Sequence, residues 1–190
     1  RLTSCEKKKK KSKPIMDVLS RAVEAFRCLP GVGPKSAQRM VFHLLQHKRQ
    51  RGLNLASCLR EAMQNIKNCA VCNDYTTDHL CKICSNTDRD NSKLCVVESP
   101  TDVLAIEQTA SFAGKYYVLM GKISPLDGIG PQEIGLPNLA EHVKNIKVKE
   151  VIIALSPSIE GQTTLHYIHE MLKEIPVKIS QIAQGIPSGS

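Results

Sequence analysis

Four cysteines between residues 69 and 84 have the spacing of a metal-binding finger. They read C-x2-C-x8-C-x2-C and are Cys69, Cys72, Cys81 and Cys84. Each C-x2-C pair suits one knuckle around a tetrahedral ion, and four thiolates leave no open coordination position. We therefore predict one structural Zn²⁺ ion per chain. His79 lies between the pairs but breaks their spacing, so we do not expect it to be a ligand.

The stretch LPGVGPKSAQRM combines glycines, prolines and cations in an order that suits phosphate binding. Gly31 and Gly33 permit positive φ angles and a close approach of the backbone. The N–H groups at the start of the following helix would attract an anion, and Lys35 and Arg39 are one helical turn apart. The pattern predicts a hairpin between two antiparallel helices that binds a DNA backbone without reading its sequence. A plain helical corner with a solvated basic face has the same local pattern.

The net charge of +8 is unevenly distributed along the 190 residues. Residues 1–14 carry +6, residues 15–67 carry another +6, and residues 68–190 carry −4. This asymmetry indicates a polyanionic partner for the front of the molecule. Aromatic residues are few, with three Phe, four Tyr and no Trp, which argues against binding of single strands by base stacking.

The sequence pattern predicts a multidomain α plus α/β fold that positions these groups. Residues 15–67 have helical periodicity and are expected to form the DNA-binding domain. Residues 68–92 form a loop-rich finger with little periodicity. Residues 93–174 alternate strands with helices, which predicts a mostly parallel sheet. Residues 1–14 are expected to be a disordered basic tail, and residues 175–190 a last strand followed by an irregular tail.

A carboxylate follows the first strand of the α/β region, at the end where such folds place functional groups. Glu98 ends LCVVE, and Ser99 with Asp102 predicts a capping box for the next helix. Metal-dependent phosphoryl chemistry would require further carboxylates nearby. The corresponding end of EVIIAL carries SPSIEG, whose one acid is Glu160. Two such distant glutamates are expected to be a poor Mg²⁺ site.

Several motifs occur together in a familiar order: LPGVGPKSAQRM, the four-cysteine finger, VVESPTDVLAIE, YYVLMGKISPLDGIGP and SIEGQTTLHYI. In this combination the chain resembles the RecR family of bacterial recombination mediators over roughly residues 16–187. The resemblance implies a helix-hairpin-helix domain, a zinc finger and a Toprim domain. Lys35 and Arg39 match the basic hairpin residues of the family. Glu98 matches its Toprim glutamate, and Glu160 matches its later acidic position.

The resemblance also implies a function. Such proteins are expected to form ring-like or dimeric homo-oligomers on DNA and to act with RecO and RecF. They would load RecA onto gapped DNA coated by single-strand-binding protein, without being enzymes. The expected location is the bacterial cytoplasm at the nucleoid, with no membrane contact. Family chains continue past the last strand, so the end at residue 190 is interpreted as a truncation or an artefact.

Two other functions remain open from the residues alone. One is a metal-dependent Toprim enzyme, primase-like or nuclease-like, although the Asp-x-Asp pair of Toprim enzymes is not found after EVIIAL, where the sequence reads SPSIEG. It would also need a catalytic nucleophile such as a positioned tyrosine, but Tyr116 and Tyr117 lie in a predicted strand, where at least one is expected to be buried. The other is a protein-interaction scaffold whose basic charge is incidental.

Overall fold

The computed structural model describes residues 15–146 and 148–182. It divides the chain into two compact units, one ending at Gln64 and one beginning at Asn65. The predicted basic tail, residues 1–14, lies outside the described residues. So does the end of the predicted C-terminal tail, residues 183–190.

The first unit is helical, as the periodicity predicts. It contains α1 (Ile15–Phe26), α2 (Pro34–His47) and α3 (Arg49–Asn65). Helices α1 and α2 pack together, and α2 buries Ala37 and Val41. Helix α3 buries none of its side chains. The unit therefore has a small core and leaves much of its apolar surface exposed.

The finger contains short strands and a helical turn that its sequence does not predict. Strands β1 (Lys67–Asn68) and β2 (Tyr75–Thr76) form an antiparallel pair, and α4 (Lys82–Ser85) makes a single helical turn. Strands of two residues are too short for any periodicity to appear. The knuckle cysteines and their turns determine these elements instead.

The rest of the second unit is a four-stranded parallel sheet in the order β4-β3-β5-β6. Its strands are β3 (Asp90–Val97), β4 (Gly114–Val118), β5 (Glu150–Ala154) and β6 (Lys178–Gln181). Its helices are α5 (Pro100–Gln108), α6 (Leu136–Ile146) and α7 (Ile159–Leu172). The predicted alternation of strands and helices, and with it the α plus α/β fold class, is confirmed.

Both faces of this sheet bear apolar side chains that helices cover. Val103 of α5 packs with Cys95, Val97, Tyr116 and Val118 on one face. A larger cluster on the other face joins strands β3, β4 and β5 to α6 and α7, with Leu139 and Ile168 fully buried in it. Strands that are covered on both faces become continuous apolar runs, as VIIAL does here. This core holds the carboxyl ends of β3 and β5 side by side.

Candidate functional site

The four predicted cysteines converge in the finger. All four Sγ atoms lie within 4.8 Å of one another, and Cys72 Sγ and Cys81 Sγ are 3.5 Å apart. Among residues 15–146 and 148–182, this is the one group of three or more His, Cys, Asp or Glu side chains placed to hold a metal ion. Three of the four cysteines are buried, and Cys84 is half-buried. The donor set, four sulfurs on two knuckles, suits a soft tetrahedral ion.

The electrostatics of the cluster favour a bound cation. Burial opposes ionisation of Cys69, but hydrogen bonds from the backbone N–H groups around it lower its pKa to about 7. Burial raises the pKa of Cys81 to about 11. The hydrogen bond with Cys84, together with burial, also raises the pKa of Cys72. Thiols this close do not all ionise alone, whereas a coordinated divalent metal deprotonates them.

The finger is attached to the edge strand of the sheet. The N–H group of Val118 in β4 donates to the carbonyl oxygen of Cys72 at 2.8 Å. The Asn73 side-chain amide donates in turn to the Val118 carbonyl oxygen at 2.8 Å. Asn73 has a positive φ of 65°, a conformation that asparagine tolerates better than most residues. One metal knuckle therefore extends the hydrogen bonding of β4.

The second knuckle is held by a lysine that sequence reasoning missed. Lys115 of β4 is almost fully buried. Its ammonium group donates to three carbonyl oxygens, those of Ile83, Cys84 and Asn86, at 2.8, 3.2 and 2.7 Å. These three bonds use all the protons of the ammonium group and fix the turn that carries the last cysteine ligand. A lysine among strand residues gives no sequence signal for this role.

The predicted hairpin joins α1 to α2. Gly31 adopts a φ of +76°, a left-handed conformation that disfavours any residue with a Cβ. Gly33 is extended, with φ −79° and ψ 172°, so it does not use the positive φ that a glycine permits. It is the N-cap of α2, and a glycine N-cap offers no side-chain oxygen to the first amides of the helix. A Cβ at either glycine would meet no atom within 4 Å, so the backbone at this turn is accessible.

Basic side chains follow the hairpin along one face of α2. Lys35 and Arg39 are both exposed. His43 and His47 continue the same i, i+4 series, and their rings lie 5.6 Å apart. The helix contains no acidic residue. The buried Ala37 and Val41 lie on its opposite side and face α1. Accessible amides and a cationic stripe thus adjoin each other at the N-terminus of α2.

Glu98 lies at the carboxyl edge of the sheet, as predicted, but its neighbours differ from those of a metal site. Its Oε1 accepts a hydrogen bond from the N–H group of Ser156, in the loop after β5. Its Oε2 lies 3.9 Å from the ammonium nitrogen of Lys122, in the loop after β4. The Ser99–Asp102 capping box is confirmed beside it, where the Ser99 N–H group donates to the Asp102 carboxylate at 2.8 Å.

Lys122 links the predicted acids without bringing them into direct contact. It donates to Ser156 Oγ at 3.2 Å and to Ser158 Oγ at 3.1 Å. The pKa of Glu160 is lowered by hydrogen bonds from the Glu160 backbone and from the Ser158 side chain. The positive charge of Lys122 lowers this pKa further. Gly161 brings α7 close to this loop, since a Cβ there would lie 2.1 Å from the Ser156 carbonyl oxygen. Sequence reasoning missed Lys122, although it follows a strand at the same edge.

The two tyrosines of the predicted strand are in the core. Tyr116 and Tyr117 are both buried in β4. The Tyr116 hydroxyl donates to Glu107 at 2.6 Å, and the Tyr117 hydroxyl donates to the Gly135 carbonyl oxygen at 3.1 Å. Burial raises the pKa of Tyr117 to about 12. Both hydroxyls therefore have structural partners.

Comparison with known proteins gives results for both units. The family model described as "RecR, helix-hairpin-helix" matches residues 19–63, and the Toprim domain model matches residues 92–183. Recombination protein RecR of Legionella pneumophila strain Philadelphia 1 is 68% identical over 174 residues, which span 92% of this chain and 87% of that protein. The RecR proteins of strains Corby and Lens are also 68% identical, over 88% of their lengths. None of the described helices is long and apolar enough to cross a membrane. With a helix-hairpin-helix unit, a four-cysteine cluster and a Toprim domain in one chain, this protein belongs to the RecR family.

Proposed function

We propose that this protein is a DNA-binding mediator of recombination and repair that works without catalysis. The observation that carries the proposal is the exposed, acid-free N-terminal part of α2, where Lys35 and Arg39 adjoin an uncapped helix start. Backbone amides at a helix N-terminus bind phosphate oxygens, and cations one turn apart can contact the same strand. Such contacts fix a protein on DNA without reading bases.

The finger would serve this function by keeping the second unit rigid. We propose that its ion is Zn²⁺, because four thiolates on two knuckles form the closed site that zinc occupies in structural fingers. The hydrogen bonds of Cys72 and Lys115 would transmit that rigidity to β4. In this role the metal has no part in chemistry.

The proposal includes assembly into homo-oligomers. Helix α3 leaves Leu53, Leu59 and Met63 at least half exposed. An apolar groove of about 280 Å³ lies within the same unit, and its lining includes Phe26, Leu44 and Leu45. Large apolar side chains that are exposed together on one helix suit a protein interface, and a second copy of the chain carries the same side chains. Several hairpins on one DNA molecule would add avidity to weak single contacts.

The Toprim domain would then serve as a binding scaffold. Its expected partners are the RecO-like and RecF-like proteins with which the protein would load RecA onto gapped, coated DNA. Glu98 and Glu160 would form part of the surface that these partners bind. Support for a non-catalytic role comes from the loop after β5, which has no Asp-x-Asp pair, and from the internal partners of Glu98, Tyr116 and Tyr117.

The decisive experiment measures binding to a gapped duplex across a salt series, with Mg²⁺ present and the DNA analysed afterwards. Both the full chain and the chain from Ile15 onward should be used, because residues 1–14 carry seven basic residues. We expect Lys35→Glu/Arg39→Glu to abolish salt-sensitive binding. Loss of two phosphate contacts alone makes the negative slope of log K against log salt shallower by about two.

A matched control reverses two exposed lysines in the other unit, Lys144→Glu/Lys149→Glu, and changes the net charge equally. This control should bind DNA almost as well as the parent. Equal binding by the hairpin variant and the parent would overturn the site assignment. The hairpin would then be a plain helical corner with no role in DNA binding. Cut, relaxed or extended DNA would show a Toprim enzyme instead, and Glu98 would then be the first residue to substitute.

A further inference from the structure

We infer that the ammonium group of Lys122 takes the place of a divalent cation at the carboxyl edge of the Toprim sheet. This goes beyond the proposed function and does not depend on DNA binding. Carboxylates at this edge of a parallel α/β sheet usually face a ligand or a metal ion. Here the Glu98 carboxylate faces a positive charge that belongs to the chain itself.

Glu98 and Lys122 share their contacts with the loop that follows β5. Glu98 Oε1 is occupied by the Ser156 N–H group, and Oε2 faces Lys122 Nζ at 3.9 Å. The same ammonium nitrogen reaches Ser156 Oγ at 3.2 Å and Ser158 Oγ at 3.1 Å. One nitrogen thus lies among three oxygen atoms that come from two different loops. Hard oxygen donors of this kind are the ligands that Mg²⁺ and Mn²⁺ prefer.

Two hydrogen bonds fix the groups that surround the lysine. Lys122 and Glu98 are anchored at adjacent strands, because the Gly121 N–H group donates to the Glu98 carbonyl oxygen at 2.9 Å. Ser158 is fixed as the N-cap of α7 through the Gly161 N–H group at 3.1 Å. The side chains of Lys122 and Glu98 are 30% and 19% exposed, so solvent screens the pair only partly. The cation is therefore an integral part of the loop cluster.

The charges around Lys122 indicate what removal of its ammonium group would do. Lys122 is the cation that reaches Glu98 and also lowers the pKa of Glu160. Without it, the Glu98 carboxylate and the hydroxyls of Ser156 and Ser158 would have no ammonium group between them. Such a set of oxygen atoms would attract a hydrated divalent cation. Lys122 would then be the residue that keeps the centre independent of Mg²⁺.

The test measures Mn²⁺ binding to the full chain, by the paramagnetic resonance signal of free Mn²⁺, in the parent and in Lys122→Met. We expect weak, non-saturating binding in the parent. Lys122→Met should gain one site per chain with an affinity about tenfold higher or more, and adding Glu98→Gln should remove it. Mg²⁺ should raise the melting temperature of Lys122→Met but not that of the parent.

The matched control is Lys93→Met. Lys93 Nζ also lies 3.9 Å from a carboxylate, that of Asp90, but both side chains are well exposed and lie away from the loop cluster. This control should gain no site. Lys122→Arg, which keeps the charge, should gain none either. Failure of Lys122→Met to gain an ion, with its structural metal content and cooperative melting intact, would overturn the inference.

A second measurement tests the inference even if Lys122→Met does not fold. The inference requires that Glu98→Gln alone leave the Mn²⁺ affinity of the parent unchanged, because the parent already supplies its own cation. A Mn²⁺ site in the parent that disappears with Glu98→Gln would overturn it. Neither result bears on Lys35 and Arg39, so failure here stays distinguishable from failure of the proposed DNA-binding function.

Discussion

The helical unit and the α/β unit use their side chains in opposite ways. In the α/β unit, Leu139 is completely buried, and Lys115 and Arg89 each serve several acceptors of the same unit. In the helical unit, α3 buries nothing and Leu59 is 51% exposed. The difference indicates that one unit is stabilised from within, whereas the surface of the other is suited to partners. Substitutions of the same type should therefore have different effects in the two units.

The largest contrast is expected between two cysteines. Cys72→Ser removes a buried ligand, so we expect loss of the bound metal and of at least about 3 kcal/mol of unfolding free energy, because metal binding is coupled to folding of the finger. Cys58→Ser changes an exposed cysteine on α3 and should alter stability by less than about 0.5 kcal/mol. Zinc content by mass spectrometry and denaturant unfolding measure both effects. Full zinc occupancy in Cys72→Ser would contradict the four-cysteine site.

Leucines give the next contrast. Leu139→Ala opens a cavity in the core below α6 and should cost about 2–5 kcal/mol of unfolding free energy. Leu59→Ala should cost little in the isolated chain but weaken self-association, because its side chain is exposed on the proposed interface. Light scattering over a concentration series measures the oligomer. If Leu59→Ala leaves association unchanged, the proposed oligomer does not use this face of α3.

The smallest contrast compares two arginine–glutamate pairs. Arg89 donates to both carboxylate oxygens of Glu107 and to the carbonyl oxygens of Phe112 and Gly114. The exposed Arg27–Glu24 pair stands alone at the end of α1. We expect Arg89→Met to cost about 1–3 kcal/mol, since it leaves partly buried acceptors unpaired, and Arg27→Met less than about 1 kcal/mol.

The Arg89 effect should also depend on pH. The hydrogen bond from Arg89 lowers the pKa of Glu107 below its ordinary value near 4.5. A carboxyl whose pKa is lower in the folded state stabilises the fold above its unfolded-state pKa, and that contribution disappears as the pH falls through the folded-state pKa. The difference between parent and Arg89→Met should thus be largest near neutral pH and shrink below about pH 4. A difference independent of pH would exclude the ion pair as its cause.

Local sequence patterns correctly predicted the structural features that depend only on residues close together along the chain. The C-x2-C pairs, the Ser99–Asp102 capping box and the helices on either side of Gly31 all appear as expected, because each is determined within a few residues. The parallel sheet also follows from the alternation of its strands and helices. Even so, Gly33 is extended, because an N-cap residue requires the β region and not a positive φ.

Contacts between distant segments could not be predicted from the sequence. Lys122 meets Glu98 and Ser158 only because three loops converge at one edge of the sheet. Lys115 reaches the finger from a strand some thirty residues away in sequence. No periodicity or spacing encodes either contact, since both depend on the register of β3, β4 and β5.

The attachment of the finger to β4 protects part of an edge strand from pairing with other chains. An edge strand with free backbone groups is a template for pairing with other chains. In this molecule Cys72 and Asn73 bond to both backbone groups of Val118. A chain deprived of its metal would release this edge and expose a hydrophobic strand. Removal of the metal should therefore produce insoluble aggregates rather than a dispersed, merely inactive protein.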